Sequence, residues 1–190
     1  EEAPPLDKWA SLAGECVHAM RSALDHTAHE LVHINRPGSD YSEFPICKDK
    51  THWIEDGPGK LPGVDRKAIA QVKWLQPYRR SQRFDPLWLI HILDIIDKHR
   101  RLNLVSPLMR LAHFEPRHSF TDIEILAGPF IDGTPIARFK VDPNVNVTTH
   151  FTFDIAFGEG EPRQGEPVME TLEMLCVSEI IVHPFSPVKG

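Results

Sequence analysis

The sequence predicts an α+β fold, in which a helical core of about four helices packs with an antiparallel meander sheet of three to four strands. Apolar residues recur at helical spacing through the first half of the chain, and after Pro107 the pattern changes to strand-like alternation. The length of 190 residues fits one domain, and 41% hydrophobic with 25% charged residues is typical of a globular protein. We therefore expect residues 1–190 to form a single α+β domain.

The first predicted helix runs from Asp7, a favourable N-cap residue, to about Asn35, and residues 36–38 (Arg-Pro-Gly) end it. An apolar face of this helix is formed by Val17, Met20, Leu24, Ala28 and Leu31. Residues 36–64 are rich in proline, glycine and aspartate, which predicts a loop with room for about one helical turn.

A second helix is predicted over residues 65–76, ending before Pro77. The third, over residues 85–105, has Asp85 as N-cap and Pro86 at its first position. Because it is apolar nearly all round, we expect it to be central and its polar residues to need partners. The last segment, residues 167–182, predicts a fourth helix, with a strand at its distal end as the alternative.

The predicted sheet spans residues 109–157. Alternating apolar and polar residues mark a strand over residues 147–157. Residues 123–126 and 137–141 flank Asp132 and Gly133, which is typical of a hairpin. Residues 109–114 add a fourth strand, so we expect an antiparallel meander with one face covered.

Composition and motifs exclude several classes. A formal charge of −6 disfavours nonspecific nucleic-acid binding. The absence of an apolar run of about 18 residues argues against a membrane span, and the first residues lack the features of a signal peptide, so we expect a cytoplasmic protein. No phosphate-binding glycine loop, serine-hydrolase elbow or zinc-ribbon spacing is present.

The cysteines are odd in number and far apart, which argues against a disulfide framework and for reduced thiols. Cys16 and Cys176 lie in helical patterns beside apolar residues, and we expect them to be structural. Cys47 follows a predicted loop segment and is the cysteine to test for reactivity.

Candidate chemistry lies on two helical strips. The strip on the first helix contains the candidate catalytic residues Arg21, Asp25 and His29, together with His18. The strip on the third helix contains the candidate catalytic residues His91, Asp94 and Lys98, together with Arg101. Residues three and four positions apart lie on the same face of a helix, so the side chains of each strip point to the same side of their helix. If the strips face each other, carboxylates, imidazoles and cations meet in one seam. We expect a small polar or anionic ligand to bind there, with catalysis left open.

Three interpretations of this seam remain open. In the structural one, the i,i+4 pairs Arg21–Asp25 and Asp94–Lys98 fix helix register, and the chain is a noncatalytic, homo-oligomeric interaction module. In the second, a divalent metal held by four ligands activates water for hydrolysis; these ligands are Asp25, His29, His91 and Asp94. In the third, a histidine moves a proton while a cation stabilises an anion, without metal.

The stretch from Arg21 to His26 has the form R-x4-H and resembles the R-x4-6-H motif of the HEPN superfamily. HEPN proteins are helical and include metal-independent ribonucleases. The resemblance implies that Arg21 steadies a phosphate group and that His26 is the acid/base of an RNA-cleaving site.

A wider resemblance rests on four short segments in the first 105 residues: RSALDH at 21–26, FPI at 44–46, LQPY at 75–78 and DKHR at 97–100. Together they are similar to a family of small uncharacterised bacterial proteins. This resemblance implies a bacterial source and a cytoplasmic location, and no particular reaction.

Overall fold

The computed structural model describes residues 5–38, 42–80, 85–126 and 135–177. The chain divides into two compact units, one formed by Ala10–Leu102 with Glu170–Gly190, the other by Glu1–Trp9 with Asn103–Met169. Helices dominate the first unit and strands the second, which confirms the α+β class. That residues 1–190 make a single domain stays a prediction.

Five helices are present among the described residues: α1 Leu6–Asn35, α2 Lys50–Glu55, α3 Arg66–Trp74, α4 Pro86–His99 and α5 Val168–Cys176. The predicted cap at Asp85 is confirmed, because its side chain accepts backbone N–H bonds in the first turn of α4, and Asp65 caps α3 in the same way. The predicted cap at Asp7 is wrong: Asp7 lies inside α1, which begins at Leu6, and Pro5 O accepts the first backbone bonds from Lys8 N and Trp9 N. α2 is the helical turn expected within the loop of residues 36–64, and Asp49 caps it. α4 supplies buried Leu87, Ile90 and Leu93 to the core of its unit, as its apolar sequence predicts.

Two predicted helix ends are wrong. α4 ends at His99 rather than at residue 105, because Arg100 has extended backbone angles and β1 begins at Leu104. Apolar residues resume at buried Leu102 and Leu104 after the ionisable residues 97–101, and apolar spacing alone assigned them to the helix rather than to the strand that follows. α5 ends at Cys176, and the predicted remainder from 178 to 182 lies outside the described residues. In the described part of the chain, no helix is both long and apolar enough to cross a membrane.

The segment of residues 42–47 lies in the helical unit as non-helical chain, and residues 44–47 of it are buried. Phe44 is fully buried, and the wholly buried side chain of Gln76 holds the segment from the end of α3. Its Oε1 accepts from Cys47 N, and its Nε2 donates to Pro45 O, both at 2.9 Å. These bonds satisfy backbone groups that no helix or sheet serves, so the segment is kept in one conformation.

The other unit contains β1 Leu104–Glu115, β2 Phe120–Ile125, β3 Ala137–Val141 and β4 Thr148–Phe157. β1 pairs antiparallel with β4, and β2 pairs antiparallel with β3. The hairpin partners were predicted correctly, whereas the single meander of three to four strands was wrong: the described strands form two sheets of two strands each. Alternation predicts which residues share a face of a strand, but not the strand with which it pairs. The predicted turn at Asp132 and Gly133 lies outside the described residues.

Candidate functional site

The two predicted strips meet where α1 faces α4. His18 Nδ1 of α1 donates to Asp94 Oδ1 of α4 at 3.0 Å, and Lys98 Nζ lies 2.6 Å from the other carboxylate oxygen. We call His18, Asp94 and Lys98 the Asp94 cluster. Burial alone would raise the pKa of Asp94, but the hydrogen bonds from Lys98 and His18 outweigh burial and lower it. Both oxygens of this buried carboxylate therefore have cationic or hydrogen-bonding partners.

Close approach of α1 and α4 continues one turn along each helix. A Cβ atom at Gly14 would overlap the carboxylate of Asp97, so only glycine leaves room for that side chain. Burial, together with repulsion from Asp94, raises the pKa of Asp97. A glycine in the middle of a long helix was the signal in the sequence for this contact.

A second group of charges surrounds Arg21, which is 5% exposed. Its Nη2 donates to Glu43 Oε1 at 2.9 Å and to Phe44 O at 3.1 Å, and it lies 2.9 Å from Asp25 Oδ1. Asp25 Oδ1 also accepts from Phe44 N at 2.9 Å. Asp25 thus faces the segment of residues 42–47 rather than α4, and Arg21 ties that segment to α1.

Lys60 extends this group, since its Nζ lies 2.9 Å from Glu43 Oε2. We call Arg21, Asp25, Glu43 and Lys60 the Arg21 cluster. Unlike Nη2, Arg21 Nη1 is buried and has no hydrogen-bond partner in the part of the chain that the structure describes. A guanidinium nitrogen carries two N–H donors, and burying such donors unpaired is unfavourable.

His91 on α4 is half-buried and responds to the charges of both clusters. Burial lowers its pKa to about 4, and the positive charges of Arg21 and Lys60 act in the same direction against Glu43 and Asp94. The imidazole is therefore neutral near pH 7. A neutral imidazole has one donor and one acceptor nitrogen, through which it can recognise a ligand.

The structure separates several of the residues that the sequence grouped. The i,i+4 pairs Arg21–Asp25 and Asp94–Lys98 are present, but the two aspartates lie in different clusters. His29 is exposed on α1, where it stacks on His33 and its Nδ1 lies 3.3 Å from Ser42 Oγ.

The candidate metal ligands are not brought together. Across residues 5–38, 42–80, 85–126 and 135–177, no group of three or more histidine, cysteine, aspartate and glutamate side chains is arranged to hold a metal ion. His26 is exposed whereas Arg21 is buried, so the two residues of the R-x4-H motif have different surroundings.

Glu43 and Lys60 were not among the predicted site residues, because they belong to a loop and a 3₁₀ turn far along the chain from Arg21. The cysteines also reverse their expected environments. Cys47 is buried, and burial raises its pKa to about 11, so its thiol stays protonated near neutral pH. Cys16 and Cys176, expected to be structural, are exposed.

Comparison with known proteins does not assign the chain to a family. No protein-family model, no curated protein and no solved structure matches this sequence. The similarities to the HEPN superfamily and to a bacterial family stay predictions, and the charge clusters on α1 and α4 are the basis for a functional proposal.

Proposed function

We propose that this chain binds a small polar or anionic ligand at Arg21 Nη1, with His91 as the second contact. The observation that supports the proposal is the buried, unpaired Nη1 of a guanidinium whose other terminal nitrogen is paired three times. A ligand oxygen at Nη1 would satisfy donors that are otherwise unpaired, and such bonds to a charged donor are among the stronger ones in proteins.

Charge balance limits the ligand. The cations Arg21 and Lys60 of the Arg21 cluster are matched by the anions Asp25 and Glu43, and Asp56 Oδ2 adds a further negative charge 3.6 Å from Lys60 Nζ. His91 adds no charge near pH 7. A group of several negative charges would be repelled by these carboxylates. A single carboxylate or a carbonyl oxygen fits the site better, because it needs only one or two N–H donors.

Binding fits His91 better than acid/base catalysis. An efficient general acid or base has a pKa close to the working pH, whereas the pKa of His91 is about 4. At neutral pH its imidazole has no extra proton to donate and is a weak base. We therefore place His91 in ligand recognition and assign no reaction to it.

Acetate is the simplest probe of this site. We expect acetate, titrated at constant ionic strength, to shift the ¹⁵N resonances of the Arg21 guanidinium and the His91 imidazole in a saturable way. Arg21→Lys keeps the positive charge but removes Nη1, so the affinity of this variant for acetate should be at least tenfold lower than that of the unaltered chain. His26→Ala, which alters an exposed side chain of the same helix, is the matched control and should bind as the unaltered chain does. Absence of a saturable shift in the unaltered chain would remove the proposal.

A noncatalytic interaction module is the second candidate. It is favoured by the Asp94 cluster, in which both carboxylate oxygens already have partners. If both clusters only hold α1, α4 and residues 42–47 together, Arg21→Lys should lower the melting temperature while acetate has no effect on any variant. Light scattering of the unaltered chain would test the homo-oligomer that this candidate includes.

A further inference from the structure

Two sulfur atoms are in contact on the helical unit, and a third sulfur-containing residue lies one helical turn before one of them on α1. Cys176 Sγ in the last turn of α5 is 3.7 Å from Met20 Sδ on α1. Cys16 lies one helical turn before Met20, and helical side chains lean toward the N-terminus of their helix. The Met20 thioether therefore leans toward the turn that carries Cys16. Cys16 and Cys176 are exposed, so both thiols can be reached from solvent.

The spacing of the sulfurs matches that of metal ligands. Two sulfurs that each lie about 2.3 Å from one ion are roughly 3.8–4.0 Å apart at tetrahedral or trigonal angles. The separation of 3.7 Å between Cys176 Sγ and Met20 Sδ is close to this value. A thiol that only donates a hydrogen bond to a thioether would give a similar distance, so the distinction has to come from metal binding.

Donor chemistry selects the ion. Thiolate and thioether ligands favour Cu(I), while imidazole and carboxylate suit zinc, iron and manganese. Among the described residues, no group of three histidine, cysteine, aspartate or glutamate side chains is arranged for those metals. We propose that Cys16, Met20 and Cys176 form a Cu(I) site. On binding, each thiol gives its proton to solvent and donates a sulfur electron pair to the ion, so no oxidant or reductant is needed.

Cu(I) titration of the reduced, metal-free chain without oxygen, against the competing chelator bicinchoninate, tests this site. We expect one Cu(I) per chain, release of about two protons per ion, and an X-ray absorption spectrum with only sulfur in the first shell. Cys176→Ser and Cys16→Ser should each weaken binding at least tenfold. Met20→Leu keeps the side-chain volume but removes the thioether, and should weaken binding by a smaller factor.

Cys47→Ala is the matched control. Burial holds the pKa of the Cys47 thiol at about 11, so this cysteine is a poor ligand and its removal should leave Cu(I) affinity unchanged. Circular dichroism melts confirm that each variant is folded, which is expected for Cys16→Ser and Cys176→Ser because both side chains are exposed. The proposal is overturned if the unaltered chain binds no Cu(I), if Cys16→Ser or Cys176→Ser binds as tightly, or if Cys47→Ala abolishes binding.

Discussion

The two charge clusters on α1 and α4 are built in opposite ways. The Arg21 cluster buries a cation, with 6% of its side chain exposed, between carboxylates of Asp25 and Glu43 that are 36% and 39% exposed. The Asp94 cluster buries an anion, with 4% of its side chain exposed, between His18 and Lys98, which are 61% and 56% exposed. In both clusters the buried charge is paired with groups that keep contact with water.

The clusters differ in how completely the buried group is satisfied. Each oxygen of Asp94 has a partner, whereas Arg21 Nη1 has none among the described residues. A carboxylate has two oxygens and is satisfied by two neighbours, while a guanidinium has five N–H donors directed along a plane and is harder to satisfy within a protein. Of the two clusters, the Arg21 cluster is therefore the one on which the ligand proposal rests.

The largest expected effect comes from breaking the Arg21 cluster. Arg21→Met should reduce the free energy of unfolding by about 2–4 kcal/mol, because two carboxylates and the Phe44 carbonyl lose their common donor. Urea denaturation followed by circular dichroism measures this loss. A loss no larger than that of Asp94→Ala would show that the Arg21 cluster contributes no more to stability than the Asp94 cluster does.

As the pH falls, the fold should first lose stability through protonation of His91. The pKa of His91 is about 4 in the folded chain and near 6.5 when unfolded, so the unfolded state binds more protons between these values. Stability then rises with pH across that window and is lost as pH falls from about 6.5 toward 4, by roughly 2 kcal/mol for this half-buried group.

His91→Gln should flatten the pH dependence of stability between pH 6.5 and 4, as measured by urea denaturation at several pH values. The contribution of Asp94 lies lower: its pKa is below 3.8 in the folded chain, so its stabilisation is present above that value and is lost as pH falls further. An unchanged slope in His91→Gln would mean that His91 is not held neutral by its surroundings.

The smallest effect is expected from the Asp94 cluster. Asp94→Ala should cost about 1 kcal/mol, since His18 and Lys98 are exposed and become hydrated when the carboxylate is removed. The same change removes the repulsion that helps to raise the pKa of Asp97, so that pKa should fall, which ¹³C NMR of the carboxyl carbon would measure. Lys98→Ala leaves one oxygen of the buried Asp94 carboxylate without its cationic partner, so its expected loss is also about 1 kcal/mol.

Local features of the fold could be predicted from the sequence. Asp85 caps its helix as expected, and Arg21–Asp25 and Asp94–Lys98 form the predicted i,i+4 pairs. Each depends on residues at most four positions apart, where helix geometry alone sets the distance. The end of α4 and the pairing of β1 with β4 were not predicted, because both depend on contacts with residues far away in the sequence.

By itself, the sequence determined the α+β class, the cap of α4, most of the helices and strands, and the presence of acidic, basic and imidazole groups on one face of α1 and one face of α4. Only the tertiary structure decided that Asp25 faces residues 42–47 while Asp94 faces His18, and that Glu43 and Lys60 complete the surroundings of Arg21. The physical reason is that a helical repeat specifies direction around one axis only. Which charges meet, and which donor stays unpaired, depends on how distant segments pack.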